Sequence, residues 1–250
     1  MAKRDYDELK NFWWMDIYAY GRYPKAAMAY LKKKGYAPEI LDEDMEILKK
    51  AAGEITFMGV NYYQSCVCEY NPMDGVTPYG TMNTTGVKGS AQELGMQGIY
   101  KNPVNPYLMT TDWDWTIDPM GLRFCCREIT SRYGLPIVIS ENGLGAFDKK
   151  TEDDQIHDEY RIDYLKKHIE QLKIMIDEGI PVLGYCPWSF IDVVSSHQGF
   201  QKRYGLVYVD RTETDPKQCA RIKKDSFYWY KEVIRNNGLT KESIRGKQNG

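Results

Sequence analysis

Several things are missing from this 250-residue chain. No run of it approaches the ~20 consecutive apolar residues of a membrane-spanning helix. The opening residues, MAKRDYDELK, lack the apolar stretch of a secretory signal, so the expected location is cytoplasmic. Charge of either sign is not in excess: 33 Lys and Arg face 35 Asp and Glu. That balance gives no support for nucleic acid or an anionic membrane as partner. The six cysteines, at 66, 68, 125, 126, 186 and 219, do not form paired C-x-x-C knuckles. Reduced, buried thiols are expected, with Cys125 and Cys126 in a helix and Cys186 in a strand. Three scattered histidines (157, 168 and 197) make a metal cluster unexpected, and no cofactor is called for. No internal repeat is evident.

What the chain does have is 42% apolar residues, enough for one ordinary domain with a real core. The rest can be placed around Leu135–Asp148, LPIVISENGLGAFD. Ile137, Val138 and Ile139 follow Gly134 and Pro136 and read as a strand buried on both faces. Ser140, Glu141, Asn142 and Gly143 come at its C-terminal end, where parallel α/β folds keep their chemistry. The alternative is that Glu141 caps a turn at a sheet edge.

Along the chain, helical spacing runs through residues 6–20, with Leu9, Phe12, Trp13, Asp16, Ile17 and Tyr20. Trp13 and Trp14 are read as packing residues. Pro24 opens a second helix that Gly35 closes. A third, capped by Asp42 with Lys49 and Lys50 in its last turn, ends at Gly53. A strand at 54–61 leads into Asn61, Tyr62 and Tyr63. Residues 66–112 are rich in Gly and Pro and lack apolar period, so they read as a long loop. Asp118 and Pro119 start a helix that runs to about Tyr133. An amphipathic helix spans about His157–Glu178, with Ile162, Leu165, Ile169, Leu172 and Ile176 on one face. A third strand covers 181–186, and a last helix runs from Cys219 to Asn236. Residues 239–250 read as a polar tail.

Several of these stretches resemble glycoside hydrolase family one, the β-glucosidase and 6-phospho-β-glucosidase clan. The likeness runs from about residue 10 to about residue 238. I-V-I-S-E-N-G resembles the family's nucleophile motif, which implies Glu141 as nucleophile. An ordinary glutamate is ionised at neutral pH, as that role requires. N-Y-Y implies that Tyr63 touches the nucleophile carboxylate and that Asn61 lies close to the sugar; the alternative is core and rim packing. W-x-I-x-P-x-G implies Trp115 in the aglycone subsite, against a role in stapling the helix that follows. The W-S motif implies that Trp188 stacks on the glycone sugar.

Residues 192–210, DVVSSHQGFQKRYGLVYVD, separate subfamilies. Where β-glucosidases carry Glu and then Trp, this chain has Ser195 and Ser196, followed by K-R-Y. That pattern resembles the phospho-glycosidases. A sugar 6-phosphate carries roughly −1.5 to −2 charge, so a carboxylate would repel it, whereas a hydroxyl, an ammonium and a phenol can all donate to it. The resemblance therefore implies Ser195, Lys202 and Tyr204 as phosphate ligands, with Ser196 as a further member. Ser196 in place of the Trp of phospho-β-galactosidases favours the gluco configuration. Taken alone, K-R-Y also fits a solvated turn.

The family's acid/base lies in a T-x-N-E-P motif, and no N-E-P occurs here. The expected fold is α/β: the C-terminal portion of a (β/α)8 TIM barrel, about three βα units with a long loop and a terminal helix. Residues 1–238 would form a partial glycosidase catalytic domain. Three parallel strands leave open edges, so a separate N-terminal half of the barrel is an expected partner. The expected function is the nucleophile half of a retaining hydrolase that acts on 6-phospho-β-glucosides and releases glucose 6-phosphate. The alternatives are an inactive remnant that binds phosphosugar or a complementing chain, and a β-glucosidase for unphosphorylated sugars.

Overall fold

A computed structural model describes residues 1–72, 82–91, 94–196 and 198–240. The chain divides into two compact units: residues 1–58, 66–82 and 91–106, and residues 59–65, 83–90 and 107–250.

The first unit opens with helices α1 (Ala2–Lys10), α2 (Phe12–Tyr20), α3 (Lys25–Lys34) and α4 (Asp42–Ala52). One helix was expected over 6–20, but the chain makes two. Asn11 turns its side chain back to Asp7 Oδ1 at 2.8 Å, and this local bond competes with helix continuation. Helix α4 starts one residue earlier in cap terms than expected: Leu41 is the N-cap, and its N–H donates to Asp44 rather than being served by Asp42. Of the two tryptophans read as packing residues, Trp13 lies 5.0 Å from Tyr23, but Trp14 is mostly exposed. The chain passes to the second unit within β1 (Met58–Asn61). Part of the expected long loop forms a small antiparallel pair, β2 (Gly95–Met96) with β3 (Tyr100–Lys101), in the first unit.

The second unit carries α5 (Pro119–Tyr133), β4 (Ile137–Asn142), α6 (Glu159–Asp177) and β5 (Val182–Pro187). It ends with β6 (Val207–Asp210), β7 (Ala220–Lys223) and α7 (Asp225–Arg235). Helix α5 begins as its sequence predicts. Asp118 accepts the Gly121 N–H at 2.9 Å, Pro119 fills the first turn, and Gly134 ends the helix at φ 66°.

The sheet order is β1-β4-β5, with β4 and β5 parallel, so β1 and β5 are its edges. Ile137 and Ile139 are fully buried on β4, as are Leu122 and Cys126 on α5. Leu165, Ile169, Leu172 and Met175 cover the same core from α6. Ile176 was expected on that face but is mostly exposed; the buried stripe turns toward Tyr164, His168 and Met175.

Two further expectations fail. Residues 220–223 are not helical but form β7, paired antiparallel with β6, which leaves α7 to begin at Asp225. None of the six cysteines is in a disulfide, yet only Cys126 is buried; Cys66 and Cys186 are exposed. Cys186 is an exposed position of β5, an edge strand of the described sheet. Among the described residues no helix is long and apolar enough to cross a membrane, and no cluster of three metal-ligating side chains occurs. Residues 241–250 of the expected tail lie outside the described residues.

Candidate active site

Every residue of this site belongs to the second unit. Glu141 is the penultimate residue of β4, and its backbone carbonyl accepts the Tyr62 N–H at 2.9 Å. Its side chain takes a short hydrogen bond, 2.5 Å, from the Tyr63 hydroxyl to Oε2. Burial, and then this bond to the carboxylate, push the Tyr63 phenol above its ordinary range, so it stays a donor at any working pH.

Two more rings adjoin Tyr63. It meets Trp115 edge-on at 5.5 Å and Tyr204 at 6.3 Å, and Trp115 lies 6.5 Å from Tyr204. The Lys202 ammonium sits inside this group, with Nζ 3.5 Å from the Trp115 ring centre, 5.1 Å from Trp113 and 5.5 Å from Tyr204. Lys202 is fully buried, Nζ has no hydrogen-bond partner among the described residues, and burial lowers its pKa to about 7.

The glycines of E-N-G-L-G allow the packing. A Cβ on Gly143 would lie 1.9 Å from the Trp188 carbonyl oxygen, and one on Gly145 would lie 2.6 Å from Lys202 Cε. Only glycine lets the backbone after Glu141 run this close to both segments. The Trp188 N–H in turn donates to the Asn142 carbonyl at 2.8 Å.

The family model of glycosyl hydrolase family 1 matches residues 1–239. The chain belongs to this family. An aryl-phospho-β-D-glucosidase of Bacillus subtilis is 52% identical over 238 residues, which is 95% of this chain and 49% of that protein. A 6-phospho-β-glucosidase of Escherichia coli is 36% identical over 92% of this chain and 44% of its own length. A family 1 β-glucosidase structure from Thermotoga maritima superposes with a TM-score of 0.77 at 31% identity, over 96% of this chain and 47% of that one. The chain thus spans about half the length of the curated relatives it matches. The sheet β1-β4-β5 with its helices is an α/β arrangement consistent with part of the (β/α)8 barrel of family 1.

Of the residues singled out in this family 1 chain, Glu141, Tyr63, Trp115, Lys202 and Tyr204 form one connected group. Trp188 is half-buried and joins them through Gly143. Asn61 accepts a 2.8 Å bond from the Ser140 hydroxyl rather than meeting Glu141. Ser195 pairs through its backbone with Gly199, and its hydroxyl donates to Gln198 at 2.7 Å. Ser196 follows it in the same turn. The Ser195 hydroxyl is thus turned to Gln198 rather than to Lys202.

Some residues of the site have no individual role that the sequence assigns, even where, as with Asn142, they stand inside a motif. Asn142 is fully buried: its amide donates to the Tyr62 carbonyl at 2.7 Å and to Tyr164 Oη at 3.0 Å, and its oxygen accepts from Tyr185 at 2.7 Å. One side chain on β4 thereby ties the residue after β1 to β5 and α6, next to Glu141 in sequence. Beneath the K-R-Y segment, Asp192 bonds Arg203 at 2.9 Å and Lys224 at 2.8 Å, and Lys224 also pairs with Asp148. These charges stand far apart in sequence, so no spacing rule could reveal them.

Proposed function

We propose that this chain carries the nucleophile half of a retaining glycosidase that acts on 6-phospho-β-glucosides. The observation that carries this reading is the phenol-held carboxylate of Glu141 in one group with the Lys202 ammonium and the Tyr204 phenol. A carboxylate with a fixed rotamer, open at its other oxygen, is fit to attack an anomeric carbon. A buried ammonium without a hydrogen-bond partner among the described residues gains most from an arriving phosphate oxygen. The relatives named above as phospho-β-glucosidases support the same substrate class.

In this reading Glu141 displaces the aglycone and forms a glycosyl-enzyme, and water then releases glucose 6-phosphate. Trp188 offers its ring to the sugar, Trp115 to the aglycone, and Asn61 to a sugar hydroxyl. Ser195 and Ser196 complete the phosphate site, with Ser196 favouring gluco over galacto. A relative named as a 6-phospho-β-galactosidase is 37% identical, so that last preference rests on Ser196 alone. The second carboxyl, needed about 5–5.5 Å from the first, would come from the remaining half of the barrel, in the same or a separate polypeptide. A cytoplasmic location belongs to the same proposal and agrees with six cysteines outside any disulfide.

The test uses a dinitrophenyl 6-phospho-β-glucoside, whose leaving group needs little acid help, beside the same glucoside without phosphate. Slow release that prefers the phosphorylated substrate and vanishes in Glu141→Gln is the expected result. Equal rates on the two substrates would remove the phosphate assignment, and no release with no labelling of Glu141 would leave a non-catalytic binding module.

A further inference from the structure

Arg161 stands near the start of α6, almost wholly buried. A guanidinium has five N–H donors in one plane, and here all of them are committed. Nε bonds Asp158 at 2.9 Å. One terminal nitrogen donates to the Leu144 carbonyl and, at 3.3 Å, to the Tyr204 carbonyl. The other donates to Asp148 at 2.7 Å and to the Arg203 carbonyl at 3.3 Å. Leu144 lies three residues beyond Glu141, while Arg203 and Tyr204 follow Lys202 directly. The same two segments also meet through reciprocal 3.0 Å amide bonds between Ala146 and Arg203. One side chain from a third element therefore grips both sides of the junction between the carboxylate's loop and the K-R-Y segment. A lysine could keep the charge, but three donors on a point-like ammonium do not reach five acceptors.

We propose that Arg161 is a positioning residue that sets the spacing between Glu141 and the Lys202–Tyr204 segment, and with it the preference for a phosphorylated over an unphosphorylated sugar. This rests on the reading of Lys202 and Tyr204 as phosphate ligands. The junction itself, gripped at three carbonyls, does not depend on that reading.

The experiment compares the full chain with Arg161→Lys, with Arg161→Gln as a second variant should the first not fold. Asp158→Asn serves as a control: it removes the charge and one of the two oxygens that serve Arg161 Nε and Ser226, but leaves Arg161 its three carbonyl contacts. Two readouts are taken. One is amide hydrogen exchange at Ala146 and Arg203 against Ile129 and Ile139. The other is the ratio of kcat/KM for the dinitrophenyl glucoside with and without its 6-phosphate. In the Arg161 variant, exchange at Ala146 and Arg203 should quicken about tenfold with the core amides unchanged. The ratio should fall by about the same factor, through KM for the phosphorylated substrate. Asp158→Asn should change neither. Equal effects of the two substitutions, or protected Ala146 and Arg203 amides in the Arg161 variant, would overturn the proposal. A wild-type chain without preference for phosphate would instead sink the functional reading, and the exchange result would then decide the positioning role alone.

Discussion

The Nζ of Lys202 lies 3.5 Å from the centre of the Trp115 ring and has no hydrogen-bond partner among the described residues. An ammonium over an indole face is attracted by the ring, but the ring returns only part of what water gave it. Burial therefore favours the neutral amine and brings the pKa down to about 7. The lysine's unfolded value is the ordinary one, about 10.4. Between these two values the unfolded chain binds the extra proton, so this side chain makes the fold more stable as pH rises from 7 toward 10, and its burial penalty is complete below pH 7. Lys202→Met should thus raise Tm relative to wild type, and raise it more at pH 6 than at pH 9. A gain that does not shrink with pH would mean that the amine is not the titrating group.

The same charge state governs binding. If Lys202 meets phosphate as an ammonium, affinity for glucose 6-phosphate should weaken above pH 7, by at most about tenfold per pH unit. Calorimetric titrations from pH 6 to pH 8.5, with Lys202→Arg as the non-titrating control, read this directly. The arginine variant should lose the slope and retain measurable binding.

Tyr63 donates to Glu141 across 2.5 Å, and a hydrogen bond to a charged group contributes about 1.5–3 kcal/mol. Tyr63→Phe should slow formation of the glycosyl-enzyme from an activated aryl 6-phospho-β-glucoside by about 10- to 100-fold. Burst kinetics separates that step from product release. Because the ring contacts with Trp115 and Tyr204 survive in Phe, Tm should change little. A large loss of stability with unchanged kinetics would make Tyr63 a packing residue.

The contrast between what was legible and what was not follows one physical line. Helix α5 could be read because Asp118, Pro119 and Gly134 act within a few residues of chain, and β4 because Ile137–Ile139 is apolar on both faces. The break at Asn11 and the β6–β7 pair were hidden. The first turns on one side chain choosing a local partner. The second places Val207, Tyr208 and Val209 all in the interior, with the Arg203 guanidinium 4.1 Å from the Tyr208 ring centre, so no period of two survives. At the site, Glu141, Tyr63 and Lys202 stood in recognisable motifs. Arg161, on the polar-looking start of a helix, had nothing to mark it as buried. Its acceptors are backbone carbonyls, which carry no sequence signature.

Gly143 offers a test of how tightly β4's exit is packed. An added methyl would meet the Trp188 carbonyl at 1.9 Å, a backbone atom that cannot rotate away. Gly143→Ala should cost about 1–3 kcal/mol, or roughly 2–12 °C in Tm for a chain of this size. It should also change the Trp188 environment in near-ultraviolet circular dichroism. At Gly59, by contrast, a Cβ would find only the Ser140 hydroxyl, at 3.4 Å, so Gly59→Ala should be tolerated.

Asp192 is buried to 4% exposure and serves five partners. It takes the Arg203 guanidinium and the Lys224 ammonium, and its oxygens accept the N–H groups of Gly205 at 2.9 Å and Val209 at 3.3 Å, while its own N–H donates to Val207. Removing the carboxylate would leave Arg203 and Lys224 underneath the K-R-Y segment with one counter-charge fewer, and breaking one side of a buried pair costs about 3–5 kcal/mol. Asp192→Ala should therefore lower the urea midpoint sharply. Asp192→Asn keeps the shape and one of the two oxygens that accept backbone N–H groups, and should lose less. Replacing the opposite charge at the same time, in Asp192→Asn with Lys224→Met, should recover part of the loss, because Lys224 would no longer be left against an uncharged amide. If the double variant is no more stable than the sum of the single changes, the two side chains are not energetically coupled. The loop that carries Lys202 must then be held by its backbone bonds alone.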